Sequence, residues 1–518
     1  METGKTTKNS PWWQNAVVYQ IYPRSFLDAS GDGVGDLSGI IERLDYLAWL
    51  GVDAIWLSPF FRSPMKDYGY DVADYCDVDP IFGNLQEFDA LLAAAHERGL
   101  RVMIDWVPAH TSSEHPWFLE ARSSRENPKR NWYVWKDPGP EGELPNNWVA
   151  AFTHGPTWTL DEATGQLYLH SFLAEQPDLN WAEPAVEEAM HDVLRFWLDR
   201  GVDGFRADVI HNIGKDPNFP DVEGKFSRIP HCALNHEEVT HEYLRRIRTL
   251  LDSYPGERAM VGEVGLLFTE QVATYYGQDD ELHMSFNFPP IFARWDAAAW
   301  RECIGVTQSS LDSRDAWPTW VLSNHDQPRH RTRYGSEARA RAATVLLLTL
   351  RGTPFLYMGE ELGLEDAVIP EDRVVDPGGR DGCRAPVPWN PEEGHGWAGE
   401  PWLPWSPEAG ERSAQTQREN PGSVLHLYRR LLVLRRESPA LRLGDFSWKP
   451  APEGVLCWER EYEGERKVIA VNFTAQPIVL MLSGLHRVEV SSDGIGESAP
   501  FEGRLAPEQA LVLEPEAG

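Results

Sequence analysis

The sequence predicts an α/β fold: a closed (β/α)8 TIM barrel of parallel strands with an inserted domain after strand 3 and a C-terminal antiparallel β-domain. Two observations predict it. About eight apolar runs of strand length follow one another, AVVYQIYP, DAIWLSP, RVMIDWV, DGFRADV, AMVGEV, HMSFNF, TWVLSNHD and FLYMG. Most are separated by stretches with helical periodicity, such as IIERLDYLAWLG, LQEFDALLAAAHERG and EEAMHDVLRFWLDRG. Several runs also end in charged residues just before the chain leaves for a loop, and in a barrel of this kind the chemistry sits at those C-terminal strand ends.

The repeat is interrupted after the third strand. Residues 106–177 are rich in Trp, Pro and Asn and poor in helical periodicity, so they read as an excursion that walls the catalytic face. A second excursion, at about 360–420, returns over the same face. From about 441 the pattern changes to short alternating segments, VLCWEREY, RKVIAVNF, PIVLML and ALVLEP. The expected organisation is barrel 1–105, inserted domain 106–177, barrel 178–440 and a β-sandwich domain 441–518.

At 518 residues the chain is long enough for roughly three domains and a large core. Its 48 basic and 80 acidic residues leave a formal charge of −32, which argues against nucleic acid or an anionic membrane as partner and suits a small neutral ligand. The five cysteines are odd in number and lack CxxC spacing, so they form no disulfide framework. The segment METGKTTKNSPWWQ has no uninterrupted apolar stretch, and no run of about twenty apolar residues occurs anywhere. A cytoplasmic location is the expectation. Whether the chain is a monomer or a homo-oligomer is left open.

Four strand-end segments carry carboxylates: Asp105 in DWVPAH, Asp208 in GFRADVI, Glu263 in VGEV and Asp326 in SNHDQ. Singly, each is most simply a loop salt bridge; four on successive ends of one barrel converge on a pocket. Arg206 and Asp208 are two apart on one strand and share a face, so the guanidinium is expected to hold Asp208 ionised as a nucleophile. Glu263 follows Gly262 in an apolar setting expected to raise its pKa and make it a proton donor. Such a pair of carboxyls cleaves glycosidic bonds. Asp326 is expected to bind sugar hydroxyls or stabilise positive charge, with His325 as its hydrogen-bond partner.

These segments resemble the ordered signature of the α-amylase superfamily, glycoside hydrolase family 13, and within it the bacterial α-glucosidase and oligo-1,6-glucosidase branch. The resemblance runs from VVYQIYPRSF at 17–26 through the C-terminal strands. It implies that Asp208 is the nucleophile, Glu263 the general acid/base and Asp326 the transition-state stabiliser, with Arg206, His110 and His325 binding the sugar ring or orienting the carboxylates. One departure is Ala109 before His110, where the family usually has Asn. In α-amylases that Asn supports a calcium site between domains, and the resemblance does not carry that site over.

Further matches narrow the branch. In KDYGYDVADY, the resemblance makes Asp67 a ligand of the non-reducing glucose and places Tyr70 under it. In RDGCRAPVPW it makes Arg384 the ion-pair partner of Asp67, closing the pocket beyond one glucose. Phe172 and Gln176 in SFLAEQPDLNW, with Phe152, match pocket-lining positions. Val209 stands where relatives carry Val for α-1,6 bonds and Thr for α-1,4 bonds. The following loop, HNIGKDPNFPDVEGKFSR, is unlike that of typical oligo-1,6-glucosidases, so the linkage is left open.

DASGDGVGD, at 28–36, offers oxygens from Asp28, Ser30, Asp32, the Val34 carbonyl and Asp36 at the spacing of a calcium loop, with Gly33 at its sharp turn. Gly39 stands where an EF-hand has its bidentate Glu. Relatives carry a similar loop for Ca2+ or Mg2+, so a structural cation and no organic cofactor are expected. The resulting expectation is a retaining exo-acting α-glucosidase for short α-glucosides that also transglucosylates. The alternatives are a same-fold glucoside isomerase or transferase of the trehalose synthase, sucrose isomerase or amylosucrase type, a non-catalytic barrel subunit, and a carbohydrate-binding protein.

Overall fold

The computed structural model describes residues 10–516, so residues 1–9 of the segment METGKTTKNSPWWQ lie outside the described residues. Eight parallel strands form the central sheet: β1 Val18–Ile21, β2 Ala54–Leu57, β3 Arg101–Trp106, β4 Gly204–Ala207, β5 Ala259–Gly262, β6 Met284–Ser285, β7 Thr319–Val321 and β8 Thr353–Tyr357. Their order is β6-β5-β4-β3-β2-β1-β8-β7, so neighbours in sequence are neighbours in space and the repeat curls toward closure. The seam between β6 and β7 is bridged by side chains. The Thr319 hydroxyl donates to the Ser285 carbonyl at 2.8 Å and accepts from the Asn287 N–H at 3.1 Å.

Each strand is followed by a helix on the outside: α1 Leu37–Leu50, α2 Leu85–Glu97, α3 Pro184–Arg200, α4 Glu238–Asp252, the short α5 Thr269–Thr274, α6 Ala297–Asp312, α7 Glu337–Thr349 and α8 Val424–Glu437. Their ends are written locally. Asp36, Asn84, Asp296, Ser336 and Ser423 accept from backbone N–H groups at the N-termini of α1, α2, α6, α7 and α8. Gly51 and Gly201 end α1 and α3 in the left-handed region, where glycine carries no Cβ penalty.

The interior of the barrel is layered by the two-residue period of its strands. Val18, Ala54, Met103, Ala259, Met284 and Phe355 pack in the lower, apolar core. Two residues on, β1 and β3 present Gln20 and Asp105, and β4 presents Arg206 two residues past Gly204. The polar layer therefore opens only at the C-terminal strand ends.

Between β3 and α3 the chain builds a three-stranded antiparallel sheet from Trp135–Lys136, Gln166–Leu169 and Trp158–Asp161, with the second in the middle. The C-terminal sheet comprises β9 Asp445–Trp448, β10 Val455–Tyr462, β11 Glu465–Asn472, β12 His486–Ser491 and β13 Ala510–Pro515, in the order β9-β10-β11-β13-β12. One face joins the main core through Leu456, Ile469 and Val512, and the other packs Val455, Val468 and Leu513 against Leu480 and Leu505 of a two-stranded pair. The expected strand PIVLML is cut to Ile478–Val479, and HRVEVS supplies a strand the alternation reading passed over. α7 is wedged between barrel and sheet, with Ala340 to Thr349 all buried. Its apolar coat is continuous rather than one-sided because it has two cores to cover.

Candidate active site

The site is assembled by ladder bonds that run one residue past the strand ends. Asp208 N–H donates to the Trp106 carbonyl at 2.8 Å and Glu263 N–H to the Ala207 carbonyl at 2.8 Å. Each strand thus fixes the backbone of the next carboxylate. Gly262, before Glu263, has to be small: a Cβ there would lie 2.4 Å from Leu282 Cδ1 and 3.0 Å from Ile210 Cγ2. Val209 takes a left-handed conformation at φ 35°, a strained geometry for a β-branched residue. It turns its own N–H toward Glu263 Oε2 at 3.3 Å.

One guanidinium organises three carboxylates. Arg206 Nη1 donates to Asp105 Oδ1 at 2.6 Å and Asp208 Oδ1 at 2.7 Å, and Nη2 donates to Glu263 Oε2 at 2.5 Å. Asp105 and Arg206 are register partners across β3 and β4. Trp56 Nε1 donates to the other Asp105 oxygen at 2.9 Å. Burial pushes Asp105 up to about 7 against the pull of Arg206.

Two electrostatic expectations are corrected here. Glu263 does not sit in an apolar setting, since Arg206 and the Val209 N–H both donate to it. Nor does Arg206 hold Asp208 at low pKa: burial pushes that carboxyl well above the carboxylate range, Arg206 pulls it down and the Glu263 charge adds to the rise. Three carboxylates around one cation leave excess negative charge in a desolvated place, which makes ionising all of them at once costly.

Asp326 has the opposite setting. Burial works against its ionisation, but His325, Arg380 and Arg384 outweigh that and hold the carboxyl below its usual range. Its Oδ1 accepts from Arg380 Nη1 at 3.0 Å and Arg384 Nη2 at 3.2 Å, and His325 Nε2 lies 3.2 Å from Oδ2. Burial pushes His325 down to about 3, so it is neutral. The Gln20 amide nitrogen faces Nδ1 at 2.7 Å, which leaves the ring proton on Nε2, toward Tyr70 Oη at 2.6 Å and Asp326.

The cavity has a volume of about 300 Å3, at the small end for ligand sites. Asp208, Glu263 and Asp326 line it, together with Asp67, Tyr70, His110, Phe152, Phe172 and Val209. Arg206, Gln176, His325 and Arg384 stand behind this surface and hold it. Gln176 Nε2 donates to Asp67 Oδ2 at 3.0 Å and lies 3.1 Å from His110 Nε2. The His110 ring packs on Phe172, with centroids 5.3 Å apart, and Phe172 on Phe152 at 5.6 Å. Burial lowers the His110 pKa, keeping it neutral.

The expected ion pair between Asp67 and Arg384 is not formed. Arg380 takes that place: its Nη2 donates to Asp67 Oδ1 at 2.6 Å, and its guanidinium covers the Phe152 ring at 4.8 Å. Arg384, fully buried, donates instead to the His325 carbonyl at 2.8 Å, to Asp326 and to Asp376. Arg380 precedes and Arg384 ends a short 3-10 helix over Asp381–Arg384, and Asp376 accepts from both, at 2.6 Å from Arg380 Nη2 and 3.2 Å from Arg384 Nη1. The sequence reading passes over Arg380 and Asp376, although both lie in DPGGRDGCR with Arg384. It passes over Asp71 too, which accepts from the Asp67 and Lys66 N–H groups at 2.9 Å and fixes the loop that carries Asp67.

The loop at 28–36 spends its carboxylates on its own backbone. Asp28 accepts from the N–H groups of Gly31, Gly33 and Gly399 at 2.7, 2.9 and 2.9 Å, and Asp36 from Ala29, Ser30 and Gly39 at 3.1, 3.0 and 2.7 Å. Asp32 is exposed and accepts from the Val34 N–H at 2.9 Å. Among the described residues no group of three or more His, Cys, Asp or Glu side chains is gathered to hold a metal ion. All five cysteines are free, and among the described residues no helix is long and apolar enough to cross a membrane.

A parallel (β/α)8 barrel whose strand ends gather paired carboxylates on one arginine, at a small pocket, defines a glycoside hydrolase class of enzyme. The family description "Alpha amylase, catalytic domain" matches residues 20–444, and the chain belongs to that family. It is 43% identical over 497 residues to a probable alpha-glucosidase of Rhizobium meliloti (strain 1021), covering 89% of each chain. It is 36% identical over 528 residues to an oligo-1,6-glucosidase of Parageobacillus thermoglucosidasius, covering 91% of this chain and 92% of that one. Among solved structures, the alpha-glucosyl transfer enzyme XgtA superposes with a TM-score of 0.89 at 42% identity, over 98% of this chain and 100% of that one.

Proposed function

We propose that the protein is a retaining, exo-acting α-glucosidase that releases α-glucose from the non-reducing end of short α-glucosides, α-1,4, α-1,6 or both. The observation that carries this reading is Arg206 bonding Asp208 and Glu263 together at a pocket whose far wall is the Asp67–Arg380 pair. Two carboxyls held by one guanidinium support the retaining route, in which the pair stands about 5–5.5 Å apart.

In this mechanism Asp208 attacks the anomeric carbon while Glu263 protonates the departing oxygen, so the C–O bond breaks as the glucosyl ester forms. Glu263, now ionised, takes a proton from water, which attacks the same carbon, releases α-glucose and frees Asp208. Ionised Asp326 stabilises the oxocarbenium-like charge. A sugar hydroxyl in place of water gives transglucosylation. Anomer-resolved NMR on maltose, isomaltose, trehalose, sucrose and maltotriose tests this: α-glucose as the first product supports it, and β-glucose or no cleavage of any of them sinks it.

Likeness to a glucosyl transfer enzyme favours a second reading, in which transfer or isomerisation outruns hydrolysis. A rearranged disaccharide from the same panel would select it. A cytoplasmic location is supported by the five free cysteines. The loop at 28–36 is proposed as a structural Ca2+ or Mg2+ site, supported by its alternating oxygens; Asp32 would have to turn inward, and no catalytic step involves the ion. An unchanged melting temperature in EDTA with and without added Ca2+ or Mg2+ would remove that proposal.

A further inference from the structure

The N-terminal end of the barrel, opposite the carboxylate pocket, holds a second cavity of about 230 Å3, lined by the segments that enter β1, β2 and β3 and by the end of α8. Four arginines line it, Arg101, Arg435, Arg436 and Arg442, against one carboxylate, Asp53. In a chain of net charge −32, that local excess of cations runs against the composition.

The one carboxylate is already used. Asp53 Oδ2 accepts from the Val17 N–H at 2.9 Å and Oδ1 from Arg436 Nη2 at 3.1 Å. Arg101 pairs outside the cavity, with Asp203 at 2.8 Å. Arg435 and Arg442 form no ion pair among the described residues. Arg435, 2% exposed, donates to the carbonyls of Leu348, Leu441 and Gly352 at 2.9, 2.9 and 2.6 Å, which closes the end of α7. Those bonds account for its terminal nitrogens only. Its Nε and the Nε of Arg442 are both buried without a partner. Burial pulls the Arg435 pKa down to about 10, with Asp53 opposing and Arg442 reinforcing.

Four guanidinium groups around a cavity with a single carboxylate leave an excess of positive charge, which suits a planar or tetrahedral oxyanion. We propose that this cavity binds a small tetrahedral oxyanion, orthophosphate or a phosphomonoester group, through Arg435, Arg436 and Arg442. The face concerned is the one where barrel residues govern stability rather than chemistry. Occupancy therefore shows in the unfolding equilibrium, because a ligand that binds only the native state stabilises it. The proposal is independent of the glycosidase reading.

The test is thermal unfolding of the full chain in sodium phosphate, sulfate, acetate and chloride at matched pH and ionic strength, with isothermal titration of phosphate. The expected result is a saturable rise in melting temperature in phosphate and sulfate over acetate and chloride, with one phosphate bound per chain. Arg442→Gln should lose that rise while keeping the melting temperature in chloride and the rate on a chromogenic α-glucoside. Arg436→Gln serves the same purpose if Arg442→Gln does not fold. A parallel titration with methyl phosphate assigns the source: tighter binding than phosphate marks a phosphomonoester site, weaker binding a free-phosphate site. Equal melting in all four salts, or a rise that survives both substitutions, overturns the proposal.

Discussion

Arg380 Nη2 donates to Asp67 Oδ1 at 2.6 Å, joining residues 313 positions apart and closing the end of the pocket. Both side chains are nearly buried, at 9% and 4% exposure. Removing one partner leaves a buried charge unpaired, which costs about 3–5 kcal/mol. Arg380→Gln is expected to lower kcat/KM on a disaccharide by at least about 100-fold, mainly through KM, and to admit longer or branched substrates. The check is steady-state kinetics on maltose against maltotetraose; an unchanged KM would show that the pair does not bound the glucose site.

Asp376 holds Arg380 and Arg384 at once and does not line the cavity, so it acts as a positioning residue. Asp376→Asn keeps the volume but loses the charge. The expected outcome is a fall of about 10–100-fold in kcat/KM, with rescue by Asp376→Glu and an unchanged far-ultraviolet spectrum. Full activity in the Asn variant would mean that the arginines are held by Asp67 and Asp326 alone.

Asp208→Asn is expected to lower turnover by at least about 10³-fold. Glu263→Ala should lose general acid catalysis but retain glucosyl-enzyme formation from an activated aryl α-glucoside. Added azide then yields α-glucosyl azide. Formation of the β-azide would exchange the assigned roles.

Val209 lines the pocket beside Asp208. Val209→Thr exchanges a methyl for a hydroxyl, a change worth about 1–3 kcal/mol in discrimination. The ratio of kcat/KM for maltose over isomaltose is expected to rise by about tenfold. A ratio unmoved by the substitution would place linkage choice in the loop 211–228.

Glu360 lies under the barrel's catalytic end, where Tyr428 and the Tyr357 N–H donate to it at 3.0 and 3.2 Å. Neutral His330, Glu361 and Arg329 also face it. Burial pushes its pKa from 4.5 up to about 8. Because the folded value is raised, the native state binds the extra proton. The contribution is complete below the unfolded value near 4.5 and is lost as pH rises through about 8. Across that window stability falls by about 1.4 kcal/mol per pH unit from this group. Denaturant titrations should show Glu360→Gln with a flatter pH dependence than the parent between pH 5 and 8. Parallel curves would place the proton elsewhere.

The sequence by itself determined the repeat, the caps and the chemistry of the strand ends. Those features are local: a two-residue period puts Arg206 and Asp208 on one face, and Asp36 or Ser423 caps the helix that starts beside it. The family likeness of DWVPAH, GFRADVI, VGEV and SNHDQ follows from the same short segments. Only the tertiary structure decided which arginine meets Asp67, because Arg380 and Arg384 lie four residues apart and a loop's path, not its composition, selects the reach. It also decided that Asp105, Asp208 and Glu263 share one guanidinium. Burial and crowding of charge are properties of the closed barrel, and no segment of sequence carries them alone.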